Sequence, residues 1–144
     1  MSWINPYIAT LLFVFSLFPT ISNAGSSTNK DERIISAVEK VVAEYKIYAT
    51  CSALNPMFLS IVMEGWDHEV QEGVNALREI DSNGILLANF ATAVAPSQLL
   101  DPNMRLSDAI EYCKTNHAKI QTFFELGASR LYPTIMQASA DNNK

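Results

Sequence analysis

Basic side chains are in short supply. Ten Lys and Arg stand against fifteen Asp and Glu, a formal net charge of −5. Nucleic acid and anionic lipid both demand a basic footprint, so neither is expected as the main partner. Histidine is scarcer still, with only His68 and His117 in the chain. No C-x-x-C, C-x-x-C-H, G-x-S-x-G or P-loop pattern occurs. That removes thioredoxin-like redox chemistry, covalent haem, the α/β-hydrolase nucleophile and phosphate cradling by a glycine-rich loop. No alternation of strand type persists, and no repeat or low-complexity tract appears. After residue 24 no apolar run is long enough to span the roughly 30 Å of bilayer hydrocarbon.

Charge is missing altogether from the first 24 residues. They hold an apolar run from Tyr7 to Phe18, then Pro19, then Ser22-Asn23-Ala24. Small residues at these spacings after a short apolar run predict a secretory signal peptide cleaved after Ala24. The positive end of that leader would rest on the α-amino group alone. No Cys follows the cut, so a lipid anchor has no support. The remainder, residues 25–144, is one domain by size and is expected in the periplasm or outside the cell. Its two cysteines, Cys51 and Cys113, are expected to form a disulfide in an oxidising compartment.

Helical periodicity organises that domain. Residues 25–30 read as a polar lead-in, with Asn29 or Asp31 as helix cap. Ile34, Val38, Val41, Tyr45 and Tyr48 then recur at spacings of four and three. The run stops at Asn55-Pro56, which also starts the next helix, Asn as cap and Pro in the first turn. That second helix carries Leu59, Val62, Met63, Trp66, Val70, Val74, Leu77 and Ile80, and ends in the turn-forming stretch 81-DSNG-84. A short apolar helix spans Ile85 to Ala95, and residues 96–104 read as a loop. Ser107 is expected to cap a fourth helix with Leu106, Ile110, Cys113, His117, Ile120 and Phe124 on one stripe. It can run on to Tyr132, where Pro133 intervenes, and a last short helix is open beyond. The expectation is an all-α, single-domain bundle of four to five helices with one disulfide.

One stretch invites a chemical reading. In 64-EGWDHEVQEG-73, His68-Glu69-x-x-Glu72 stops one residue short of the H-E-x-x-H zinc signature. A site of that type needs two imidazoles one turn apart, a third ligand and a dry surrounding shell. At about 100° per residue, Trp66, Val70, Val74 and Leu77 occupy one arc, with Glu64, His68, Glu72 and Glu79 opposite and Glu69 on the flank. Those outward residues face water, so no metal, cofactor or catalytic residue is assigned. From Glu64 to Asp81 six acidic residues accompany a single basic one, Arg78, and carry an imbalance as large as the whole chain's. Such a face can steer a cationic partner. Glu64, Asp67, His68 and Glu72 are therefore the candidate partner-binding residues.

Two segments, 45-YKIYATC-51 and 106-LSDAIEYCKTNHAKIQTFF-124, resemble the periplasmic immunity proteins that protect bacteria from type VI secretion amidase toxins. The second holds an apolar-Cys-x-x-x-His-x-Lys pattern similar to that family's penultimate helix. The likeness covers about a fifth of the chain, and the acidic helix lies outside it. It implies a small exported all-helical homodimer that is no enzyme itself and blocks a peptidoglycan amidase. The leading expectation is thus an exported module that binds another protein, a cationic toxin enzyme, and occludes it. The competing expectation is a periplasmic binder of haem or lipid, with a pocket of Tyr48, Trp66 and His117.

Overall fold

The computed structural model describes residues 24–80, 82–126 and 130–140, the backbone alone for 24–28 and 123–126. Of the expected leader, residues 1–24, only Ala24 falls among the described residues. Six α-helices and one 3₁₀ turn follow in order: α1 Ala24–Ser52, α2 Pro56–Glu79, α3 Gly84–Ala93, the turn Pro96–Gln98, α4 Leu106–Thr115, α5 His117–Leu126 and α6 Leu131–Ala140. No strand occurs among the described residues. The chain is an all-α single domain.

The long α1 is the axis. Its stripe of Ile34, Val38, Val41, Tyr45 and Tyr48 is buried as the periodicity predicts, and it packs against each of the other five helices. The polar lead-in differs from expectation, because α1 already begins at Ala24. There Asn29 does not cap: its side-chain oxygen accepts from Arg33 Nη1 at 3.0 Å, one helical turn on. Asn55 does cap α2, accepting from the Met57 amide at 3.1 Å, with Pro56 in the first turn where its missing N–H costs nothing. Asn83 caps α3 in the same way through the Leu86 amide at 2.8 Å, while its amide group donates to Asp31 on α1.

The disulfide joins Cys51, at the end of α1, to Cys113 on α4. No helix among the described residues is long and apolar enough to cross a membrane.

The fourth helix is shorter than expected, because it breaks at Asn116. The Tyr112 carbonyl there accepts both the Asn116 amide and its side-chain Nδ2, at 3.1 and 2.9 Å. This local bond competes with helix propagation. A new helix, α5, starts at His117, which is exposed rather than buried in the apolar stripe. At the start of α4 the cap position falls to Arg105, not Ser107, and Arg105 pairs with Asp108 at 2.9 Å. Ala109 is the residue α4 buries, whereas Leu106 and Ile110 are 65% and 40% exposed. Pro133 does not end a helix either. It sits in the opening turn of α6, where no intrahelical donor is required.

Close approach of α2 to its neighbours depends on Gly73. A Cβ there would lie 2.5 Å from Phe90 Cζ and 3.5 Å from Ile135 Cδ1. Phe90 is 1% exposed and cannot retreat freely. Gly73→Ala is therefore expected to destabilise by about 1–2 kcal/mol in chemical denaturation, overpacking outweighing the better helix propensity of alanine. Phe90→Leu in the same chain should recover part of that loss.

Candidate functional site

The second helix presents two faces with different chemistry. Its buried arc holds Val62, Trp66, Glu69, Gly73, Ala76 and Leu77. This arc is turned from the expected one, since Val70 and Val74 are only half buried and Glu69 points inward. The cause is α6, which packs against α2, meeting Glu69 through its first amides and Gly73 through Ile135.

Glu69 is 3% exposed. Its carboxylate accepts the Arg130 amide at 3.0 and 2.8 Å and the Leu131 amide at 2.9 Å. The first amides of a helix have no intrahelical partner, and the helix dipole favours a negative charge at that end. Glu69 thus acts as the cap of α6 from 61 residues away in sequence. The Tyr45 hydroxyl donates to Glu69 Oε1 at 3.5 Å, the outer limit of a hydrogen bond. Burial, and then the Glu69 charge, push the Tyr45 phenol well above its ordinary pKa. Tyr45 also packs on Trp66, with ring centroids 4.7 Å apart, and edge-on to Tyr48 at 5.8 Å. Around this centre the Arg130 guanidinium pairs with Glu44, half exposed. The Tyr132 hydroxyl donates to Glu79 at 2.7 Å, and that bond raises the Tyr132 pKa. Both ties fasten α6, one to α1 and one to α2.

The opposite face is wet. Glu64, Asp67 and His68 are exposed and Glu72 is partly so, accepting from Asn75 Nδ2 at 3.4 Å. Among the described residues none of Glu64, Asp67 or Glu72 takes part in an ion pair. No group of three or more His, Cys, Asp or Glu is arranged to hold a metal among them either. In the near-signature His68-Glu69-x-x-Glu72, the residue at the general-base position is used as a structural cap.

Tyr48, Trp66 and His117 do not come together as the ligand-pocket expectation requires. Tyr48 and Trp66 are sealed in the core at 3% and 0% exposure. The Trp66 indole N–H donates to the Val94 carbonyl at 3.0 Å. His117 stands exposed on α5, beyond the break at Asn116.

Above the buried Trp66 lies a groove of about 250 Å³ between α2 and α3, lined mainly by apolar side chains. Neither this groove nor the Glu69 centre is legible in the sequence: the helical stripe places Val70 and Val74 in the core, and no local signal reports that α3 leaves them half covered. No known protein family, curated protein or solved structure matches this chain.

Proposed function

We propose that the chain is an exported protein-binding module, an immunity protein or inhibitor that occludes a secreted toxin enzyme. Its binding face is the outward side of α2, with Glu64, Asp67, His68 and Glu72 meeting a cationic surface on the partner. One observation carries this reading: the acidic helix α2 uses Glu69 internally and leaves Glu64, Asp67 and Glu72 on its outer side with no cationic partner among the described residues. Glu64 and Asp67 are exposed three residues apart on one helix. Like charges at that spacing repel and stabilise nothing in the isolated fold. Facing a basic surface they raise association rate and select against wrong partners. The disulfide supports the exported setting, since such bonds persist in oxidising compartments.

The test uses two baits in periplasmic extract: the unaltered chain and Glu64→Lys/Asp67→Lys/Glu72→Lys. The variant should melt as the unaltered chain does, because exposed substitutions shift stability by only about 0.5 kcal/mol. A basic enzyme retained by the first bait and lost from the second, and inhibited stoichiometrically by the unaltered chain, is the expected result. Equal retention by both baits removes α2 from the interface.

A further inference from the structure

We infer that the groove between α2 and α3 receives one large apolar side chain of the partner, inserted beside a Lys or Arg that pairs with Asp67. This inference rests on the proposed binding role of α2 and names the chemistry of the segment bound. The groove is walled by the half-buried Val70 and Val74 of α2 and the exposed Leu87 of α3, over the buried Trp66 and Phe90, with Asp67 as the single charged residue of its lining among the described residues. Leu87 is 44% exposed, so apolar surface stands in water directly beside the acidic face. The Trp66 indole N–H is already bonded to the Val94 carbonyl. That donor is not offered to an incoming group, and an apolar body is what the groove selects.

Size decides the kind of occupant. At about 250 Å³ the groove falls below the roughly 300–1,000 Å³ of small-molecule and cofactor sites. It suits a single side chain such as Phe or Leu rather than a haem or a lipid tail. Charge decides the neighbours of that side chain. Asp67 is exposed, has no ion pair among the described residues, and lies three residues from the exposed Glu64. A cation adjoining the anchor meets both carboxylates, whereas an anion there is repelled. An apolar anchor with flanking cationic residues is also the pattern by which interface hot spots are built, a filled pocket ringed by polar contacts.

The probes are three capped pentapeptides: Lys-Lys-Phe-Lys-Lys, Glu-Glu-Phe-Glu-Glu and Lys-Lys-Gly-Lys-Lys. Each is titrated into the isotopically labelled full chain and followed by amide and indole NMR signals. The first should shift the Trp66 indole N–H and the amides of Val70, Phe90 and Ala91, and bind at least about five-fold tighter than the other two. Ala91→Trp fills the groove from an exposed position on α3 and should weaken the first peptide about ten-fold with unchanged melting. Asp67→Lys should do the same while leaving the apolar part of the lining intact. Equal binding of the Phe and Gly peptides overturns the inference, and so does the absence of any shift. Equal binding of the Lys and Glu versions overturns it too, in favour of a groove for uncharged apolar ligands. The captured partner separates this inference from the reading beneath it. If Glu64→Lys/Asp67→Lys/Glu72→Lys abolishes capture and Ala91→Trp does not, the acidic face stands and the groove falls.

Discussion

Glu69→Ala lowers the free energy of unfolding by about 3–5 kcal/mol, the range for removing one member of a buried charged network. The carboxylate it deletes is 3% exposed and accepts the amides of Arg130 and Leu131 at 2.8–3.0 Å. Alanine leaves those amides without an acceptor and opens a void where the side chain lay. The effect is directed at α6, which brings the fully buried Leu131 and Ile135 to the core. Circular dichroism during urea denaturation measures it. Hydrogen exchange should show α6 losing protection before α1 and α2. Glu69→Gln keeps one acceptor oxygen but turns an NH₂ group toward the same donors, so its loss should fall between alanine and the parent. Asp67→Ala, two residues earlier on the wet face, should change stability by less than about 0.5 kcal/mol. A small loss for Glu69→Ala, comparable to that of Asp67→Ala, would contradict the assigned role.

Breaking the Cys51–Cys113 bond has an effect of similar size. The bond spans 62 residues, and the chain-entropy relation for such a loop gives about 4 kcal/mol. The loss should be uneven across the fold. α4 buries Ala109 and exposes Leu106 and Ile110, so its attachment to α1 depends on the disulfide more than on apolar burial. In Cys51→Ser/Cys113→Ser, α4 should lose amide protection first while the centre around α1, α2 and α6 holds. Uniform loss of protection would show that the bond serves the whole core equally.

The sequence announced those features whose causes are local. The four-and-three spacing of Ile34, Val38, Val41, Tyr45 and Tyr48 needs no knowledge of the rest of the chain, and all five are buried. Asn55-Pro56 behaves as a start signal because capping is decided within two residues. The disulfide follows from an even cysteine count in a chain with a leader-like N-terminus. The inward turn of Glu69 was not legible, because its partners are amides 61 and 62 residues away. Gly73, one turn on, is a trace of packing on this side of α2, since a Cβ there would meet Phe90 of α3 at 2.5 Å. The break at Asn116 was hidden by a stripe that reads smoothly from Cys113 to His117. A side-chain bond to the Tyr112 carbonyl interrupts the helix there. His117 then leaves the stripe and stands exposed, whereas Tyr48 and Trp66, the residues expected beside it, are buried. The candidate binding face is argued from charge and exposure alone: Glu64, Asp67 and His68 are exposed and Glu72 is half buried.

The central claim is that the outward carboxylates of α2 bind and the inward one holds the fold. An ionic-strength series of the affinity for the captured partner tests it most directly, run on the unaltered chain and on Glu64→Lys/Asp67→Lys/Glu72→Lys. The unaltered chain should weaken steeply as salt screens the contact. The charge-reversed chain should be at least about ten-fold weaker at low salt and nearly insensitive to it, with an unchanged unfolding curve. Equal affinities with equal salt dependence would contradict the claim.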